Sequence, residues 1–131
     1  MPNNDDFAGA FAGLKAILAP YAKKCIVVHD TSDNYYLNTR HILKKNQPLF
    51  FAAVRKGKAY VSFHLMPVYA SPELLAKMSP ELKKRMQGKS CFNFKSVDES
   101  TFKELAKLTR AGFTRFNDEK FLHAIRKAQG G

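Results

Sequence analysis

Apolar residues recur at helical spacing from the start of the chain. Phe7, Phe11, Leu14, Ile17 or Leu18, and Tyr21 lie three or four apart, with Asp5 and Asp6 ahead of them at the positive end of the helix dipole. Pro20 predicts an end near Ala19, because the residue before a proline is pushed out of the helical region. From there the period falls to two. Cys25–His29 and Tyr35–Thr39 read as short strands around a polar turn at Asp30–Asn34. Leu49–Val54 and Ala59–Leu65 read as an antiparallel hairpin across Arg55-Lys56-Gly57-Lys58, with Gly57 expected at positive φ. In the second of these strands Ala59, Val61, Phe63 and Leu65 share one face, and Tyr60, Ser62 and His64 share the other. The first face is core, with Val61 and Phe63 expected beneath the first and penultimate helices. The second is half-polar.

Ser71-Pro72-Glu73-Leu74 and Ser79-Pro80-Glu81-Leu82 repeat one helix-starting device: a serine cap, proline in the first helical position and an acidic first turn. Two short helices are predicted, the second closed by Gly88. Cys91–Lys95 alternates again, with Phe92 and Phe94 inward. Asp98 or Ser100 then caps a helix with the stripe Phe102, Leu105, Ala106 and Leu108, which the polar Thr109 cuts short. A last helix over Asp118–Ala128, capped by Asn117, offers Phe121, Leu122 and Ile125. Helix, then strands, then helices indicates an α+β fold, with N-terminal and C-terminal helices packed on one face of an antiparallel sheet. At 131 residues the chain, 1–131, fits a single domain with one core.

Charge adds a bias toward anionic partners. The 22 Lys+Arg residues outnumber 11 Asp+Glu, giving +11, spread along the chain rather than gathered in a tail. Lys83, Lys84, Arg85 and Lys89 form the densest cluster, a place where nucleic-acid phosphates would be held in a salt-dependent, sequence-blind way. The acidic, polar start is unlike a signal peptide and no apolar run approaches a membrane span, so a cytoplasmic protein without a membrane partner is expected. Cys25 and Cys91 lie far apart and belong to no metal or disulfide pattern.

No catalytic set is legible. His64 and Cys91 invite a nucleophile–base reading, but no third group to orient the base can be named, and an inert buried cysteine is the simpler reading. His29, His41, His64 and Cys91 lack metal-ligand spacing, so neither metal nor cofactor is read. Gly88-Lys89-Ser90 looks like the end of a phosphate loop, but position 83 is lysine where that loop has glycine, and a strand follows instead of a helix. A binding site is the stronger candidate. If Phe92 and Phe94 point inward, Cys91 and Asn93 join Tyr60, Ser62 and His64 on the sheet's other face. His29 and one of Tyr35 or Tyr36 lie beside them, and Arg85 or Lys89 supplies positive charge at the rim.

From Leu49 onward the order of features resembles the YdhG-like bacterial domains of unknown function. The segments that carry the likeness are LFFAAVRKGKAYVSFHL (49–65) and GKSCFNFKSVDESTFKELAKL (88–108). They match that family's basic strand hairpin, its Gly-Lys-Ser turn into a strand ending Phe-Lys, and its closing helix. The resemblance covers about half of the chain and implies a frataxin-like α+β fold. One relative is regarded as a frataxin-like iron chaperone. Frataxins carry iron on an acidic ridge, where this first helix offers only Asp5 and Asp6. The sequence therefore reads as a small basic, non-catalytic binding domain holding a small anionic ligand on its sheet face. A nucleic-acid-associated protein and an iron chaperone are the alternatives.

Overall fold

The computed structural model describes residues 6–43, 46–76, 78–88 and 90–128. Asp5, Lys89 and the side chain of Ile125, singled out above, lie outside them. Helix α1 (Phe7–Leu18) starts where the Asp6 carboxylate accepts the Gly9 N–H at 2.9 Å, and it buries Ala10, Phe11, Leu14 and Leu18. Pro20 has no N–H to continue the ladder, so the chain tightens into a 3₁₀ turn over Ala19–Lys24. Strands β1 (Cys25–Asp30), β2 (Asn34–Ile42), β3 (Pro48–Lys56) and β4 (Val61–Leu65) follow as a meander. Next come α2 (Met66–Ala70), a 3₁₀ turn at Pro72–Leu75, α3 (Pro80–Lys83), β5 (Met86–Gln87) and β6 (Cys91–Phe94). Helices α4 (Glu99–Phe116) and α5 (Glu119–Ala128) complete the order. The strands form one open antiparallel sheet, β1-β2-β3-β4-β6-β5, so the fold is α+β.

Several local expectations need correction. Gly57 does not adopt positive φ; its N–H closes the β3–β4 turn on the Tyr60 carbonyl at 2.9 Å. Gly88 does, at 77°, and turns the chain between β5 and β6 rather than closing a helix, α3 having ended at Lys83. Ser79 caps α3 through the Leu82 N–H, whereas the Ser71 hydroxyl donates to Glu73 and only a 3₁₀ turn follows. Thr109 does not cut the α4 stripe. It is fully buried and donates to the Leu105 carbonyl at 2.7 Å, so the buried line runs on to Gly112 and Phe116, while Ala106 faces solvent. Asn117 ends α4, and it is Asp118 that caps α5.

The core lies where aromatic rings from helices meet the sheet. Phe51 of β3 lies between Tyr21 and Phe113, with ring centroids at 5.6 and 5.3 Å. Phe94 of β6 meets Phe102 of α4 edge-on at 5.0 Å. Val61 and Phe63 are wholly buried, as their alternation predicts. The helices themselves approach closely: a Cβ on Gly112 would lie 2.7 Å from the Pro67 side chain of α2.

Two bulges set which residues turn outward. Leu37 and Asn38 of β2 lie opposite Ala52 and Phe50, leaving Phe51 as a surplus residue in β3. Phe51 and Ala52 therefore both face the helices, and Phe50 faces away. In β1, Val28 is the surplus residue between Val27 and His29. β1 is an edge of the sheet and leaves Ile26, Val27 and Val28 exposed by 46, 43 and 44 %. No helix among the described residues is long and apolar enough to cross a membrane.

Candidate functional site

The register assembles the outward side chains into rows across the sheet. One row runs His29, Tyr36, Ala53, His64, Cys91, Gln87, one residue from each strand from β1 to β5. The next runs Asn34, Arg55, Ser62, Asn93. Six of the residues picked out from the sequence thus share this face: His29, Tyr36, Ser62, His64, Cys91 and Asn93. The Ser62 hydroxyl donates to the Asn93 side-chain oxygen at 2.8 Å; Asn93 and Tyr60 both donate to Gln87, at 2.6 and 3.3 Å. His64 Nδ1 lies 2.9 Å from Cys91 Sγ.

That contact is a pairing of neutral groups. Burial pushes the Cys91 thiol up, against a smaller lowering by the Ser90 hydrogen bond. Burial pushes the His64 imidazole down, and the nearby Arg55 charge pushes it further. Both shifts oppose the thiolate–imidazolium form that nucleophilic catalysis needs. The other cysteine, Cys25, is buried and pushed up to about 11, mainly by desolvation. Among the described residues, no three His, Cys, Asp or Glu side chains are grouped so as to hold a metal ion. His41 is engaged elsewhere, 3.0 Å from Asn117.

The two rows enclose a concavity of about 290 Å³ centred on β3. Ala53 is its floor. Tyr36 and Phe50 stack at 4.7 Å to make one wall, with His29 edge-on to Tyr36 at 5.8 Å. His64 is the opposite wall, and Arg55 and Asn34 close one end. Of the two tyrosines offered by the sequence, Tyr36 lines the hollow and Tyr35 is core. Asp30 is the only carboxylate in the six strands, and it turns to the helix side, where Lys15 holds it at 2.7 Å. Arg55 has no ion-pair partner among the described residues. Among the described residues no carboxylate lines this hollow; Asp33, in the turn before β2, shares the neighbouring hollow with Arg55 and Asn34.

Arg85, expected at the rim, is elsewhere. Arg85 spans Asp98, at 3.5 Å, and the Phe94 ring, on the helix side of the sheet. Lys83 and Lys84 are exposed and do not line this hollow; Lys89 lies outside the described residues. The cation here is Arg55, which sequence reasoning assigned to the turn; strand alternation carried one hairpin pair further would have put it beside Ser62. Phe50 and Ala53 were missed for want of the bulge. Larger hollows exist, one of about 730 Å³ beside Tyr69, Met78 and Met86, with Lys83 at its edge. Only Tyr69 and Lys83 bring polar side chains to its lining, whereas His29, Asn34, Tyr36, Arg55 and His64 converge on the sheet-face site. No family model, curated protein or solved structure matches the chain.

Proposed function

We propose that this is a non-catalytic binding domain that holds a small anionic ligand in the concavity over Ala53. The observation that carries the reading is Arg55: a guanidinium with no ion-pair partner among the described residues, at the end of a ring-walled hollow, on a face to which no strand contributes a carboxylate. Guanidinium groups bind carboxylate and phosphate through paired hydrogen bonds, and Asn34 beside it offers an amide. The neutral Cys91–His64 pair supports binding without chemistry. The same proposal makes the chain a YdhG-like domain with a frataxin-like arrangement, α1 and α4 over one side of the sheet and the ligand on the other. The basic β3–β4 hairpin, a strand ending at Phe94 just before Lys95, and the helix α4 that follows support it.

A thermal-shift screen of small carboxylates and phosphates tests the reading. A ligand at a hundred times its Kd stabilises the native state by about 2.7 kcal/mol. That gain should vanish in Arg55→Gln and persist in Arg85→Gln. A screen in which no anion raises the melting temperature, or a gain indifferent to Arg55→Gln, overturns it.

A further inference from the structure

We infer that the occupant of this site is a planar aromatic anion, a flat ring carrying one carboxylate or phosphate. The inference rests on the anion-binding reading above and narrows it to a ligand class. Tyr36 and His64 stand on the strands either side of β3, and both lie opposite Ala53. Neighbouring strands are about 4.8 Å apart, so these two backbones are separated by roughly 10 Å with only a methyl group between them. A ring stacked about 3.5 Å from each wall fills such a slot. A hollow of about 290 Å³ lies at the lower end of ligand-pocket volumes, room for a single ring system and its charged substituent.

The walls are set before any ligand arrives. Phe50 of β3 stacks on Tyr36, at 28° between ring planes, so the two rings brace each other as one wall, and His29 of β1 packs against Tyr36 at 84°. His64 is held by its 2.9 Å contact with Cys91. Little side-chain freedom is lost on binding, which favours a rigid flat ligand over a flexible chain. His64 lines the hollow with its pKa pushed down, which leaves Arg55 as the charge that fixes the anionic group.

Two matched pairs test this on the full chain by calorimetry: benzoate against cyclohexanecarboxylate, and adenosine monophosphate against ribose 5-phosphate. The aromatic member of at least one pair should bind tenfold or more tightly, and the discriminating pair identifies the anionic group. Ala53→Leu should abolish binding by filling the floor. Tyr36→Leu, which keeps apolar bulk without a ring, should erase the discrimination between the aromatic and saturated members. In the wild-type chain the Ala53 methyl resonance should move upfield with the aromatic ligand only. Equal binding of aromatic and saturated partners, both lost in Arg55→Gln, overturns the ring and leaves the anion site standing. Binding of none of the four overturns both.

Discussion

Replacing Gly112 by alanine sets two opposed effects against each other. Gly112 lies in the interior of α4, where alanine is favoured over glycine by about 1 kcal/mol. The new Cβ would lie 2.7 Å from Cβ and 2.9 Å from Cγ of Pro67. Carbon atoms pack at about 3.5–4.0 Å, so the two backbones would have to part by roughly 1 Å. The proline ring cannot rotate away, and α2 follows β4 without a linker, so moving it drags buried Leu65. Overpacking of this kind costs about 1–3 kcal/mol, enough to outweigh the helical gain and leave a net loss of up to about 2 kcal/mol. In a domain of this size that lowers the melting temperature by several degrees, at roughly 3–5 °C per kcal/mol. Urea and thermal melts of Gly112→Ala read the sign directly. A stabilised variant would mean that α2 gives way freely and that the close approach is not a constraint.

Phe63→Ala removes a ring from the middle of the sheet's buried side, and should cost about 3–5 kcal/mol in urea titrations; a loss below about 1 kcal/mol, less than the ring's transfer energy alone, would mean that Phe63 is not buried. His64 predicts a pH effect. Its folded pKa lies below the ordinary 6.5, so on acidification the unfolded chain takes up that proton first. The His64 contribution is complete above about pH 6.5 and is lost as pH falls, levelling off below the depressed folded value. Urea midpoints at pH 7.5 and 5.5 should therefore differ less in His64→Gln than in the wild type, and an equal difference in the two would refute the assignment.

The sequence was most legible where one interaction dominates. A capping aspartate and a periodic stripe specify α1; alternating Val61, Phe63 and Leu65 specify β4 and its two faces. It was least legible where tertiary contacts decide. Thr109 reads as polar, yet its hydroxyl bonds within its own helix and its methyl side is buried. Two-residue β5 is too short to carry a period, and α2 starts at Met66-Pro67 with no polar cap. Phe50 and Phe51 are chemically identical; only the β3 bulge sends one to the outer face of the sheet and the other to the core. For the site, alternation identified Tyr60, Ser62, His64, Cys91 and Asn93 as neighbours. Arg85 was misassigned because its partners, Asp98 and Phe94, come from a strand and a helix cap that converge only in the fold.

The exposed edge of β1 has a consequence for how the protein behaves in bulk. Ile26, Val27 and Val28 offer an apolar strip and an unpaired strand to another molecule, and the bulge at Val28 only partly blunts it. What holds copies apart is the +11 charge that each carries. That repulsion reaches about 10 Å in 0.1 M salt and about 3 Å in 1 M. Colloidal stability should thus run opposite to the common laboratory habit: dilute buffer keeps this protein dispersed, and concentrated salt lets the edges meet.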